Sequence, residues 1–441
     1  MGHINFFSHV KKYNNKSLYL EGKVCSSVYQ SFKKQEFNFC VDSFSFSSDF
    51  KYRRNISGKI LLRTKIFPQF SYGDYIKLNC FLESVEPFSG FAYDRYLARF
   101  DIYSICNYPD ILQYEKNNSA SIWRYIFDFK KHLTNIFRKN LDEDQSSILE
   151  AMLLGSKKVI SDNLYEIFSK TGLSHMIAIS GMHIGILSVM ILNFFLSLGF
   201  SRKKVFYFVV LFLFFYLALI GFPASAMRAS LMGFFLFWSI YLGRLNKANH
   251  TFVLVISIIL FINPKLLRDD IGFQLSVGAC LGLTYFLPLF EKIFDIFTEN
   301  IKSKNENLGI FTERFLKVLF LIFAASFSAQ ILSLPIIINN FHAISSVSMI
   351  SNLLVIWILP FLIVASLVAI LFSIFLPIFS FMFFLVVRFL LSYIVFIANF
   401  LASFSWVYIE VNNFSLVYVF FYYVLIFILF LELKKITEKY S

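Results

Sequence analysis

The side chains with chemistry to offer sit in the apolar part of the chain. Thr171-Gly172-Leu173-Ser174-His175-Met176-Ile177-Ala178-Ile179-Ser180-Gly181-Met182-His183-Ile184-Gly185 sets two histidines and two serines in a run without Asp, Glu, Lys or Arg. A histidine in such a run is costly enough in lipid to point to a lumen or a partner. A hydrogen-bonded packing histidine is the plain alternative. Ser180 and His183, three apart, share one helical face. Ser174, Ala178, Gly181, Gly185 and Ser188 step by four, three, four and three along another. That stripe of small residues suits close helix packing in a bilayer.

Two further clusters are polar. Gly221-Phe222-Pro223-Ala224-Ser225-Ala226-Met227-Arg228-Ala229-Ser230 places an arginine near one end of an apolar run. Arg228 either snorkels to the interface or lines the path of a polyanion. Asp269-Asp270-Ile271-Gly272-Phe273-Gln274-Leu275-Ser276 puts carboxylates and an amide at a helix start, where Asp270 also suits an N-cap. No GxxxxGK[ST] occurs, so no ATP hydrolysis is expected. The five cysteines have no CxxC or zinc spacing, no HExxH occurs, and no metal or other cofactor is expected.

These residues must be held by membrane helices. Of 441 residues, 57% are hydrophobic and only 16% charged, against roughly a quarter charged in soluble domains. Charges are frequent up to about Lys170 and absent from long runs beyond Leu173. Spans of about twenty apolar residues are expected at 174–200, 205–221, 225–242, 272–290, 316–338, 346–376, 379–402 and 413–432. The run 251–262 is short and precedes Asn263-Pro264, and 346–376 carries Pro360, so each reads as a broken or bent helix. The formal charge of +13 suits either nucleic acid or the positive-inside rule. Arg202-Lys203-Lys204, Arg244/Lys247, the 291–317 loop with Lys292, Lys302, Lys304 and Arg314, and Lys434-Lys435 mark cytoplasmic ends. Asn339–His342 and 403–412 carry no Lys or Arg and mark the outside. This alternation puts residues 1–170 outside, although Met1–Val10 resembles neither a signal peptide nor an anchor helix. The 59 phenylalanines read as coding bias at lipid-facing positions.

Residues 17–106 alternate as strands at Leu18–Val24, Phe37–Val41, Lys59–Arg63, Tyr75–Leu82 and Ile102–Ile105, broken at Ser57-Gly58 and Ser71–Asp74. Five short strands fit a small OB-like barrel. Lys51, Arg53, Arg54, Lys59, Arg63 and Lys65 beside Tyr52 and Phe67 are the ingredients of a single-strand grip. A solvated strand face or an adapter role is the alternative. Cys25, Cys40, Cys80 and Cys106 allow three disulfide connectivities, or stay free thiols. Ile122, Tyr125, Ile126 and Phe129 read as an amphipathic helix fit for a membrane surface, and Asp142 or Asp144 as the cap of a helix ending near Gly155.

The Gly-Leu-Ser-His…Ala-Ile-Ser-Gly-Met-His-Ile-Gly string resembles the signature of ComEC-type competence membrane proteins. Pro223–Met232, then Asn263-Pro264…Gly272-Phe273-Gln274-Leu275-Ser276, then Gln330…Pro335 through Ser351-Asn352-Leu353-Leu354 resemble further blocks of that family. Ser89–Leu97 is similar to the element closing its OB-like domain. The resemblance covers most of residues 17–360, in order. It implies a bacterial inner-membrane channel, not an enzyme, that passes single-stranded transforming DNA into the cytoplasm, with a cytoplasmic C-terminus. It implies as partners a periplasmic DNA receptor, competence pilus proteins, a cytoplasmic helicase-like motor and membrane lipids. His175, Ser180, Gly181, His183, Arg228, Asp270, Gln274 and Asn352 become candidates for the channel core, and Arg53, Arg54, Lys59, Arg63 and Lys65 for DNA contact. Transmembrane helices before the OB-like domain and a C-terminal metallo-β-lactamase-like domain, both common in the family, are missing from the sequence, so any nuclease would be a separate protein.

The expected fold class is a polytopic α-helical membrane protein of about 8–10 spans with an N-terminal OB-like β-barrel. Its parts are the barrel at 1–116, an amphipathic helical connector at 117–171, the channel domain at 172–433 and a basic tail at 434–441. The rival function is secondary transport of a small anionic solute by the same histidines and arginine.

Overall fold

The computed structural model describes residues 9–30, 34–47, 53–86, 93–117, 121–156, 159–243, 248–302, 310–411 and 415–439. Of the residues singled out above, Lys51, Tyr52, Ser89–Ala92, Arg244, Lys247 and Lys304 lie outside these. The chain forms two compact units, Met1–Ile160 with Phe214–Phe222, and Ser161–Leu213 with Pro223–Ser441.

In the first unit, alternation of apolar and polar residues builds β1 (Ser17–Val24), β2 (Tyr29–Gln30), β3 (Gln35–Ser45), β4 (Arg54–Thr64), β5 (Tyr75–Phe81), β6 (Glu83–Ser84), β7 (Ile102–Asn107) and β8 (Asp110–Glu115), with α1 (Tyr93–Ala98) before β7. All five expected strands are present. The sheet order is β6-β7-β4-β3-β1-β5-β8, with β2 on β3. β4 and β7 run parallel and the other pairs antiparallel. One residue after β5, β6 pairs with β7 at the far edge of the sheet (Glu83↔Ile105), so the sheet curls onto itself as an OB-like half-barrel. Leu18, Leu20, Phe37, Phe39, Ile60, Leu62, Ile76 and Leu78 fill its interior from alternate positions. Gly22 is required where β1 bulges, since a Cβ there would overlap the Cys40 carbonyl. Two disulfides select one connectivity of the three: Cys25–Cys40 and Cys80–Cys106, with Cα atoms 5.8 and 6.2 Å apart.

Two helices follow in the same unit, α2 (Ile122–Asn140) and α3 (Glu143–Leu154). Asp142 is the N-cap residue of α3, and Gly155 ends it in the left-handed region at φ 72°. On α2, Ile122, Tyr125 and Phe129 are exposed whereas Ile126 is buried. Glu150 of α3 is buried and takes Arg138 Nε at 2.9 Å. Lys130 is buried beside it, its ammonium 5.5 Å from the centroid of the Tyr29 ring.

The second unit is helical: α4 (Asp162–Lys170), α5 (Ser174–Ile177), α6 (Gly181–Ser197), α7 (Arg202–Ile220, whose last turns belong to the first unit), α8 (Ala224–Tyr241), α9 (Ala248–Ile262), α10 (Leu266–Asp269), α11 (Ile271–Tyr285), α12 (Leu287–Lys302), α13 (Ile310–Phe341), α14 (Ser348–Val355), α15 (Leu359–Phe375), α16 (Ser380–Ala402) and α17 (Leu416–Lys439). Among the described residues six helical stretches are long and apolar enough to cross a membrane, and α6 and Asn249–Ile262 are shorter apolar helices. The chain is a polytopic membrane protein with an OB-like unit ahead of its helices. Strands β9 (Ala343–Ser345) and β10 (Tyr408–Glu410) pair, which lays the two loops free of Lys and Arg side by side.

One expected break and one unexpected break interrupt the spans. The 346–376 span divides into α14 and α15 around a 3-10 turn at Ile356–Ile358, with Pro360 in the first turn of α15, where a missing N–H costs nothing. The 174–200 span breaks at 178–180, between α5 and α6.

Close packing comes from glycine. α11 lies on α13 with Gly278 against Leu332 and Gly282 against Ser328. A Cβ at Gly282 would overlap the Ser328 carbonyl oxygen. Inside α13, Pro335 has no N–H for the Ile331 carbonyl, and Tyr422 of α17 supplies the missing donor at 2.9 Å. Tyr423 donates to the Leu332 carbonyl at 3.0 Å.

Candidate functional site

Gly172 starts the site. α4 ends in a Schellman turn: Leu173 N–H donates to Phe168 O (2.8 Å), Gly172 N–H to Ser169 O (3.1 Å), and Gly172 takes φ +73°. A Cβ at Gly172 would overlap that of Ser348, so this turn sits directly on the start of α14. Ser351 Oγ of α14 donates to Thr171 O at 2.6 Å, and Gln330 of α13 donates to Ser348 Oγ at 3.1 Å. The turn is thus clamped to the α13–α14 corner. His175 on α5 is exposed and bonds through Nδ1 to Gly172 O at 3.0 Å.

The break after α5 is a capping device. Ala178 and Ser180 are extended (ψ 133° and 171°). Ser180 is the N-cap residue of α6, and His183 stands where a capping box carries Glu or Gln. The Ser180 N–H donates to His183 Nδ1 at 3.2 Å, and the Ser180 hydroxyl lies 2.9 Å from the same nitrogen. Nδ1 therefore accepts, the ring proton sits on Nε2, and that buried nitrogen has no partner among the described residues. The expected continuous stripe of Ser174, Ala178, Gly181, Gly185 and Ser188 is accordingly cut at Ala178. Ser180 and His183 share a cap instead of a mid-helix face.

α8 faces this break. Ser225 Oγ donates to Ile179 O at 2.9 Å. Three residues on, on the same face of α8, Arg228 Nη2 lies 4.0 Å from where a Cβ of Gly181 would be. Arg228 is 4% exposed, and its Nε and Nη1 find no acceptor among the described residues. Snorkelling is excluded for a guanidinium this buried. Cys280 of α11 is its neighbouring titratable group.

Asp270 is the N-cap of α11, its Oδ1 accepting from Phe273 N–H at 2.9 Å. Gln274 ties α10 to α11 by donating to Leu267 O and Arg268 O at 2.8 and 3.1 Å. Both hold backbone in place. Asn352 is 6% exposed, with an unpartnered Oδ1, one residue from the Ser351 clamp. The structure therefore gathers Ser180, Gly181, His183 and Arg228 around one helix start, while Asp270 and Gln274 shape a neighbouring corner. Sequence reasoning missed the Ser225 tether and the Gly278/Gly282 seam. The seam had a signal, the small-x-x-x-small spacing.

The basic run of the first unit divides. Arg53 and Lys77 pair with the buried Glu21, Arg63 with Glu36 at 3.5 Å. Burial alone would raise the Glu21 pKa. Hydrogen bonds from Tyr75 and Ser43 and the charges of Arg53 and Lys77 outweigh it and bring the carboxyl below its ordinary value. Arg54 lies opposite Phe44 and Lys59 opposite Cys40, on different faces of the sheet. Arg54, Lys59 and Lys65 are exposed. Arg54 borders an 800 Å³ groove with Lys12, Tyr13, Phe44 and Asn55.

The sequence profile of the Competence protein family matches residues 152–436, which contain every candidate of the membrane unit. ComE operon protein 3 of Bacillus subtilis is 29% identical over 288 residues, covering 63% of this chain and 33% of the relative. Recombination protein 2 of Haemophilus influenzae is 33% identical over 148 residues, covering 31% of this chain and 18% of the relative. The chain thus spans a third or less of the length of these curated relatives. No solved structure matches. With most of its length inside the family profile, the chain belongs to the Competence protein family, the ComEC-type membrane proteins.

Proposed function

We propose that the chain serves DNA uptake in natural competence, as the inner-membrane channel that passes single-stranded transforming DNA into the cytoplasm. The observation that carries the reading is Arg228, a buried cation with unmet donors beside a broken helix, inside an apolar bundle of the competence family. A single strand carries a charge at every nucleotide, so its path through lipid needs water, cations and oriented dipoles. The break at 178–180 between α5 and α6 interrupts the helical backbone within the apolar part of the chain, as broken helices do along transport paths.

In the OB-like unit, the groove lined by Lys12, Tyr13 and Arg54 offers one half-buried aromatic ring and two cations to an arriving strand. The two disulfides of that unit suit an oxidising compartment and so favour its placement outside the cytoplasm. Lys434 and Lys435 favour a cytoplasmic C-terminus. The work of pulling falls to a helicase-like motor or the membrane potential, and delivery to a periplasmic receptor and the competence pilus.

The test is deletion of the gene in a competent host fed labelled DNA. Surface binding should persist while entry into the cytoplasm and transformation fall to background. Transformation at the parental frequency would refute the reading. Saturable uptake of a small anion by the reconstituted protein, indifferent to DNA, would replace it with the transporter.

A further inference from the structure

We propose that the start of α6 and the Arg228 guanidinium form a seat for one phosphodiester group of the passing strand. The inference rests on the DNA-uptake reading and assigns the ligand chemistry of its central site.

Four observations meet there. Arg228 is 4% exposed, and two of its nitrogens, Nε and Nη1, have no acceptor among the described residues. No carboxylate among the described residues forms an ion pair with it. A buried guanidinium left in this state calls for an anion, because desolvation has removed the water that would otherwise serve its donors. The guanidinium is also aimed at a helix start: Nη2 lies 4.0 Å from the Cβ position of Gly181, the first residue of the 17-residue α6. Backbone N–H groups and the helix dipole make that start electropositive. Two cationic elements brought together without a counter-charge have the same unmet requirement. The Ser225 hydroxyl, bonded to Ile179 O at 2.9 Å, fixes the spacing between α8 and this start. Finally, the Ser180–His183 capping box takes up the N–H groups of those two residues and leaves those of Gly181 and Met182 without an intrahelical partner.

A phosphodiester fits these donors better than a carboxylate-sized point charge. The planar fork of arginine binds two phosphate oxygens at once, and a helix start can take another. The contact ignores the base, as a general uptake path requires. One seat holds a phosphate long enough to orient the strand and weakly enough to release it. A lipid headgroup or free phosphate has the same chemistry, and the test must separate these sources.

Cys280 gives a local readout. Four of the five cysteines are in disulfides, so it is the one free thiol, and it neighbours Arg228. The full chain is placed in nanodiscs of zwitterionic lipid, and the rate of Cys280 modification by a small methanethiosulfonate is followed. The probe is an abasic deoxyribose-phosphate 12-mer, which carries phosphodiesters without bases. The 12-mer should slow modification at least fivefold at concentrations where inorganic phosphate does not. Arg228→Gln should abolish the protection. Arg228→Lys keeps the charge and loses the fork, and should raise the half-protecting concentration about tenfold. Protection is read for each protein against its own modification rate without the 12-mer, and an unchanged circular dichroism spectrum reports an intact fold. The salt dependence of half-protection should lose about 0.7 from its log–log slope in Arg228→Gln, the value of one single-strand phosphate contact. A purely structural arginine would not move that slope.

Equal protection in wild type and Arg228→Gln overturns the proposal. So does full protection by anionic lipid without the 12-mer, which would make a headgroup the occupant. If the deletion strain still fails to transform in either case, the DNA-uptake reading stands and only the seat is lost. If the deletion strain transforms normally, the reading itself falls.

Discussion

Replacing Gly172 with Ala tests whether the turn before α5 is built for its backbone angle, its closeness to α14, or both. At φ +73° an alanine pays about 1–2 kcal/mol for the left-handed conformation. The added Cβ also overlaps the Cβ of Ser348, and relief by moving α14 is opposed by the Ser351–Thr171 and Gln330–Ser348 hydrogen bonds. Overpacking of this kind costs about 1–3 kcal/mol. The sum is about 2–5 kcal/mol. Ser348→Gly removes the obstructing atom but leaves the backbone angle, so in that background Gly172→Ala should cost only the first part. The expected coupling in the double-mutant cycle is therefore about 1–3 kcal/mol. The assay is equilibrium unfolding of the full chain in mixed micelles titrated with SDS, on the four purified proteins. A coupling within about 0.5 kcal/mol of zero, the usual additivity limit, would refute the close approach and leave only the angle.

Two further outcomes are expected. Burial brings Lys130 from its ordinary 10.5 to about 8, with the Glu150 charge opposing the shift. Between those two values the unfolded chain holds the extra proton, so stability rises with pH across the window and is flat below it. Lys130→Met should therefore stabilise the α2–α3 pair at pH 7 by up to about 3 kcal/mol, with the gain fading above the window. Hydrogen exchange of α2 and α3 amides reads this as slower exchange, and unchanged or faster exchange at pH 7 would contradict it. Tyr422→Phe should cost about 1 kcal/mol in the micelle assay by leaving the Ile331 carbonyl unserved. In a Pro335→Ala background the helix supplies its own N–H, and the cost should vanish. An equal cost in both backgrounds would mean that the tyrosine acts by packing alone.

What the sequence made legible was local. Alternation located the five strands of the OB-like unit, and proline located the bend at Pro360. Asp142 and Asp270 stand at the helix starts where their short side chains predict them. The break at 178–180 was hidden because apolar composition runs straight through it. What interrupts the helix is a histidine used as a cap and a serine from α8, and the latter lies 46 residues away. The basic run from Arg53 to Lys65 looked like one surface because sequence carries no face information across a bulge. Glu21 and Glu36, which neutralise Arg53 and Arg63, come from other strands. The cysteine pairing was open for the same reason, since it depends on which strands become neighbours.

The shortness of α6 has an electrical consequence. Seventeen residues rise about 25 Å, less than the roughly 30 Å thickness of a hydrocarbon layer. The far end of α6 runs out through Gly199 toward Arg202, Lys203 and Lys204, which anchor at an aqueous boundary. The end that stops short is then the polar one, with Ser180, His183 and Arg228. An α6 shorter than the hydrocarbon layer sets its N-terminal dipole and the Arg228 charge beside it within the membrane voltage drop, so the work of bringing an anion to that end scales with the voltage.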